Sequence, residues 1–148
     1  MASALARGIG EPVLVHDIDS AKAESLAAEL GGEAVGPDRL AEAADVVVLC
    51  HKPQQLLEVA EQISPQAIAS ILAATTTAQI ERAYPDTPVY RFIPNIPAEV
   101  RKGVLCYVPG KLARQGPEKE ILGLFGRAVT VIALDDEPLI EPAMALMS

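Results

Sequence analysis

The chain has 148 residues, enough for one ordinary domain with a sizeable buried core. Half of them are hydrophobic, yet only 3% are aromatic and none is Trp, so the core must be built from Ala, Val, Leu and Ile, which suits parallel α/β layering. A formal charge of -8 speaks against nucleic acid as a partner, and no apolar run approaches the roughly 20 residues that cross a bilayer.

Residues 2–7 are Ala-rich and predict a helix that closes at Gly8 and Gly10, glycines suited to a helix C-terminus. The run at 13–16 predicts a short strand. Asp19 or Ser20 then caps a helix through Leu30, with Ala23, Leu26, Ala27 and Leu30 on one face. Gly31 and Gly32 stop it, residues 33–35 read as a short strand, and 40–44 as a helix after Pro37. DVVVLC at 45–50 is the clearest buried strand, continuous, β-branched and bounded by polar residues. Pro53 stands at the first turn of a helix that runs to Ile63. A strand at 67–72, a helix at 77–83 and a strand at 89–92 follow. After a Pro-rich loop come a strand at 104–108, a helix at 118–125, a strand at 129–133, and the start of one more helix from 137.

This alternation predicts an α/β fold: a doubly wound, mostly parallel sheet with helices on both faces, of the Rossmann-like, dinucleotide-binding type. The later strands are closely spaced and leave room for antiparallel pairing. Cys50 and Cys106 fall in apolar strand-like runs and read as reduced core thiols of a cytoplasmic protein.

Ligands of doubly wound sheets lie beyond the carboxyl ends of the strands, so the strand-end segments carry the candidates. Asp17, in HDID, can accept hydrogen bonds from both ribose hydroxyls of an adenosine and would repel a 2′-phosphate; it equally suits a solvated turn beside the Asp19 cap. In CHKPQQ, Lys52 beside Pro53 places a cation and free amides at the ligand edge, or forms an ordinary solvated cap. His51 reads as a proton donor or as a structural side chain. In AATTTAQ the small residues let a flat ring or ribose approach the backbone, while Thr77 also suits a helix cap. Asn95, bracketed by Pro94 and Pro97, is an amide aimed from a stiff turn. No Ser/His/Asp triad, metal-ligand cluster or close carboxylate pair stands out, and Asp135, Asp136 and Glu137 read as a solvated helix start.

In this order the segments resemble the N-terminal domain of the pyrroline-5-carboxylate reductase family. Met1, Ala2, the Ala-rich helix and Gly8 resemble the latter part of its Gly-x-Gly-Asn-Met-Ala turn and the helix after it. DVVVLCHKPQ resembles its strand ending in Val-Lys-Pro-Gln, and Pro94-Asn95-Ile96-Pro97-Ala98 with Gly103 resembles its Pro-Asn-Thr-Pro-Ala block and downstream Gly. Residues 139–148 resemble the approach to the Ser-Gly-Pro-Ala segment that opens its helical dimerisation domain.

The resemblance implies reduction of 1-pyrroline-5-carboxylate to proline by the parent protein, a hydride passing from NADPH or NADH to the ring carbon of the C=N bond. It implies a cyclic imine as small-molecule partner and a homo-oligomer built through the C-terminal domain. It assigns Met1 to the cofactor turn, Cys50, His51, Lys52 and Pro53 to the nicotinamide side, Ala73, Ala74 and Thr75 to the cofactor, and Asn95 to the loop facing nicotinamide and substrate. It names no catalytic side chain. His51 stands for a usual Val, Ala74 and Thr75 lack the family's Gly, Ile96 stands for Thr, and Pro37 lies near a usual Asn. A related imine reductase and a non-catalytic nucleotide-binding domain are the alternatives.

On the same ground, residues 1–136 are expected to form the nucleotide-binding domain without its first strand and Gly-rich turn. Residues 137–148 are expected to begin the helix that leads to a dimerisation domain. The chain alone is therefore expected to be inactive, and the sheet to be compromised or rearranged around the strands at 13–16 and 45–50.

Overall fold

The opening Ala-rich segment folds as α1 (Ala2–Ile9), and the chain leaves it at Gly10, whose φ of +69° only glycine adopts without strain. β1 (Leu14–Val15) follows, then α2 (Ser20–Leu30), capped by Asp19 at one end and by left-handed Gly31 at the other. Next come β2 (Glu33–Ala34), α3 (Pro37–Ala43), β3 (Val47–Leu49), α4 (Leu56–Gln62), β4 (Ile68–Ser70) and α5 (Thr77–Ala83). The chain continues through β5 (Val89–Pro94), β6 (Gly103–Pro109), α6 (Glu118–Phe125), β7 (Val129–Ala133) and α7 (Ile140–Leu146). This computed structural model describes residues 2–94 and 103–146; Met1 and Asn95, two of the expected site residues, lie outside them.

Five strands form one sheet in the order β3-β4-β5-β6-β7, parallel throughout except for the antiparallel β5–β6 pair. Helices cover both faces. On one, Leu5 and Ile9 of α1 and Ile121 and Phe125 of α6 pack with Tyr90, Phe92 and Leu105. Phe92 stacks on Tyr107 and meets Phe125 edge-on, so the few aromatics are concentrated in this layer. On the other face, Leu40, Leu56 and Ile80 of α3, α4 and α5 pack with Val47, Leu49, Ile68 and Val89. The doubly wound, mostly parallel α/β architecture read from the sequence is the one observed.

β1 and β2 form a separate two-stranded parallel sheet. The carbonyls of Val13 and Val15 accept from β2, so the Leu14 peptide between them faces the other way. At the edge of the large sheet, Val47 N–H and Leu49 C=O bond toward β4, so the Val48 peptide likewise faces away. Among the described residues no strand pairs with either of these edges. The sheet is thus divided between β1 and β3, the region where rearrangement was expected.

Several local expectations need correction. β3 is shorter than residues 45–50, because Asp45, Val46 and Cys50 lie outside its hydrogen-bonded part. Cys50 is exposed rather than a core residue, whereas Cys106 is buried, and among the described residues neither forms a disulfide. Pro53 opens a 3-10 turn over Pro53–Gln55 rather than the α-helix itself, with the Lys52 N–H bonded to Gln55 Oε1 at 3.1 Å.

Candidate functional site

Because β3 and β4 are parallel and Leu49 pairs with Ser70, the segments that follow them leave the sheet side by side at its carboxyl edge. Cys50–Pro53 and Ala73–Thr75 are thereby brought together. β5 is parallel to β4 and carries Pro94 to the same edge, where β6 begins at Gly103. Asp17 follows β1 and so belongs to the smaller sheet.

At the end of β3, the Cys50 Sγ donates to Val48 O at 3.5 Å, and burial of the thiol pushes its pKa up to about 12, so it remains a neutral thiol. His51 Nδ1 lies 2.9 Å from Lys52 O and can only donate to a carbonyl, so in the neutral imidazole Nε2 is the acceptor. That Nε2 is buried and has no hydrogen-bond partner among the described residues. Lys52 is exposed, and its ammonium has no ion-pair partner among the described residues.

The loop after β4 is held rigidly. Ser70 Oγ accepts from Leu72 N–H at 3.3 Å, and buried Thr75 donates its hydroxyl to Ala73 O at 3.0 Å. Between them Ala74 has a φ of +49°, the one non-glycine in the left-handed region among the described residues. A methyl side chain is the smallest that can be forced there, at about 1–2 kcal/mol. Thr76 then caps α5 in a reciprocal box with Gln79, so the cap falls one residue before the expected Thr77.

The sequence reading missed a buried ionic group beneath this loop. Arg91, in the middle of β5, is 2% exposed and donates to Glu137 Oε1 at 3.0 Å and Glu141 Oε1 at 2.8 Å. Glu137 also accepts from Thr77 N–H at 2.6 Å and the Thr77 hydroxyl at 2.8 Å. Burial acts to raise the Glu137 pKa, but the Thr77 hydrogen bonds and then Arg91 outweigh it and hold the carboxyl below its ordinary value. Glu137 is therefore a half-buried tie between α5, β5 and the start of α7, not a solvated helix start. An Arg within the apolar run VYRFIP was the available signal, since a buried guanidinium requires acidic partners.

Two cavities among the described residues lie elsewhere. One, of about 250 Å³, is lined by Ala78, Glu81, Arg82, Pro85, Lys111 and Leu112. The other, of about 370 Å³, is lined by Pro12, Val13, Leu14, Gly31, Gly32 and Glu33. Neither is lined by an expected site residue. Among the described residues no cluster of His, Cys, Asp or Glu could hold a metal ion, and no helix is long and apolar enough to cross a membrane.

A doubly wound sheet with two rigid loops converging at its carboxyl edge defines a nucleotide-binding class of domain. The family model described as "NADP oxidoreductase coenzyme F420-dependent" matches residues 1–76, just over half of the chain. The chain belongs to that family of oxidoreductases, whose cofactor is NADP. It is 27% identical over 108 residues to a pyrroline-5-carboxylate reductase of Synechocystis sp., a match covering 69% of this chain and 40% of that protein. The fold is shared with 1-pyrroline-5-carboxylate reductase from Streptococcus pyogenes, at TM-score 0.88 and 21% identity over 100% of this chain and 59% of that one. It is shared also with the Plasmodium falciparum pyrroline carboxylate reductase solved with NADP bound, at TM-score 0.84 and 20% identity over 98% of this chain and 57% of that one. The chain thus spans less than two thirds of the length of each of these relatives.

Proposed function

We propose that the chain is the nucleotide-binding part of a reductase that converts 1-pyrroline-5-carboxylate to proline. The observation that carries this reading is the placement of the CHKPQ and AATTT loops side by side at the carboxyl edge of a sheet shared with pyrroline-5-carboxylate reductases along the whole chain. When bound, a reduced nicotinamide nucleotide supplies the hydride for the imine carbon.

The residues present fit such a nucleotide. Ala73 and Ala74 leave little side chain between the β4–α5 loop and a flat ring. Thr75 and Ser70 satisfy that loop internally, so it keeps its shape when water is excluded. The orphaned His51 Nε2 is an acceptor in need of a donor, and the exposed Lys52 ammonium is available to an anionic group of nucleotide or substrate. Pro53, at the start of the 3-10 turn, fixes the direction in which Lys52 leaves β3. Asn95 and Met1 complete the proposed contact set. The Arg91–Glu137 tie holds the start of α7 against β5, and a homo-oligomer built through a C-terminal dimerisation domain, with a completed imine pocket, belongs to the same proposal.

The test is the fall in NADPH or NADH absorbance when the complete gene product meets pyrroline-5-carboxylate. Saturable turnover yielding proline is expected. Saturable nucleotide binding with no turnover of this or any other cyclic imine would instead identify a non-catalytic nucleotide-binding domain.

A further inference from the structure

β7 is the last strand of the large sheet, and among the described residues no strand pairs with its outer edge. The Leu134 N–H donates to Tyr107 O at 2.9 Å, and Tyr107 is in register with Ala133. In a parallel ladder this fixes the parity. Thr130, Ile132 and Leu134 bond to β6, whereas the peptide groups of Val129, Val131 and Ala133 turn away from the sheet. Proteins usually guard such an edge by keeping it short, or by placing Lys, Pro or a bulge on it. The open edges of β1 and β3 follow that practice, with two residues and three. β7 has five, VTVIA, β-branched at four positions and free of charge and proline. Val129 and Val131 pack into the α1–α6 layer, so Thr130 and Ile132 stand on the opposite face, both exposed, Ile132 by 44%.

We infer that this edge joins two copies of the chain, β7 pairing antiparallel with β7 about a twofold axis at Val131. With the axis there, every outward peptide group of the strand finds a partner. Val131 faces Val131 of the second copy, and Val129 faces its Ala133, each pair exchanging both hydrogen bonds. Thr130 and Ile132 of opposite copies come side by side, so the exposed Ile132 gains a β-branched neighbour. The same register brings charges at the two ends of the strand into opposition. Arg127 precedes β7 and Asp135 follows it, and an axis at Val131 sets each Arg127 opposite Asp135 of the other copy. Arg127 is paired with Glu11, yet its side chain is 57% exposed. Asp135 is exposed and has no ion-pair partner among the described residues. The contact uses neither the carboxyl edge of β3 and β4 nor α7. Pairing through five residues covers less surface than a permanent interface, so the association is reversible and depends on concentration.

The experiment is sedimentation velocity of the 148-residue chain from micromolar to millimolar concentration, with amide hydrogen exchange followed by NMR at the upper end. The expected result is a mass rising from that of one chain toward that of two, with the Val131 and Ala133 amides becoming protected as it rises. Val131→Pro removes the central outward N–H without touching a bond to β6, and an edge strand tolerates proline at such a position. It should weaken dimerisation at least about tenfold, with far-UV circular dichroism unchanged. Asp135→Arg sets like charges against each other and should weaken dimerisation severalfold; adding Arg127→Glu should restore it, a rescue that a destabilised fold would not give. Both charge variants lie outside the strand and decide the matter even if the proline disturbs β7. A chain that stays monomeric at millimolar concentration overturns the inference. So does a dimer undiminished in Val131→Pro, because another surface would then form the contact. Weakening by Asp135→Arg that Arg127→Glu does not rescue overturns the register about Val131.

Discussion

Replacing Glu137 with Ala removes the acceptor of three hydrogen bonds, from Thr77 N–H, the Thr77 hydroxyl and Arg91 Nη1. The magnitude follows from what is left behind. Arg91 is 2% exposed, and its Nε already has no partner among the described residues. Breaking a buried ion pair costs about 3–5 kcal/mol when the surviving charge is stranded. Here Glu137 keeps 23% side-chain exposure and Glu141 still holds Nη2, which lowers that cost. Loss of a capping acceptor at the first turn of α5 adds about 1 kcal/mol. The net expectation is about 3 kcal/mol, a large share of the roughly 5–15 kcal/mol that holds a domain together. Glu141→Ala is the internal control. Its carboxylate is 51% exposed, and pairs of that kind contribute about 0.2–1 kcal/mol. Urea unfolding followed by far-UV circular dichroism should show a midpoint about 1–2 M lower for Glu137→Ala, with a shift several times smaller for Glu141→Ala. Equal shifts for the two variants would refute the reasoning, because burial of the Glu137 side would then count for nothing.

Three further outcomes are expected. The Glu137 pKa is lowered on folding, so its stabilisation is complete above the ordinary value of 4.5 and is lost as pH falls through the folded value; stability of the wild type should drop more steeply below about pH 4.5 than that of Glu137→Gln, measured by urea midpoints at each pH. Ala74→Gly relieves a left-handed alanine and should raise stability by about 0.5–1 kcal/mol, seen as a higher Tm, whereas a lower Tm would mean the methyl packs favourably. Cys50 is exposed as a residue, but its thiol pKa of about 12 should make it react with a disulfide reagent at pH 8 far more slowly than an unfolded cysteine does, a comparison made by following thiol release in native buffer and in urea.

Much of the fold was legible because period and composition report burial. The β-branched runs at β3, β5, β6 and β7 were placed within a few residues, and the crowding of the later strands correctly left room for the antiparallel β5–β6 pair. Local turn chemistry was legible less well. Pro53 marks a helix start in either case, and the first turn is 3-10 because the Gln55 and Leu56 N–H groups bond back three residues, to Lys52 O and Pro53 O. Cys50 was read as a core residue because the run VVVLC is apolar throughout, yet pairing with β4 stops at Leu49. Arg91 in VYRFIP signalled a buried cation, but its partner Glu137 was not legible, because the two stand 46 residues apart and meet only in the folded chain. In the candidate site, the adjacency of Cys50–Pro53 and Ala73–Thr75 follows from strand order, which alternation of elements predicts. The positive φ of Ala74 and the orphaned His51 Nε2 are tertiary facts that no local pattern announces.

The central claim is that the carboxyl edge of β3 and β4 receives the nicotinamide end of a nucleotide. Its most direct test is a titration of the isotope-labelled protein with reduced nicotinamide nucleotide, followed by amide chemical shifts. Saturable shifts concentrated at His51, Lys52, Ala73, Ala74 and Thr75 are expected. Shifts confined to the cavity around Glu81 and Lys111, or none along the β3–β4 edge at saturating nucleotide, would contradict it.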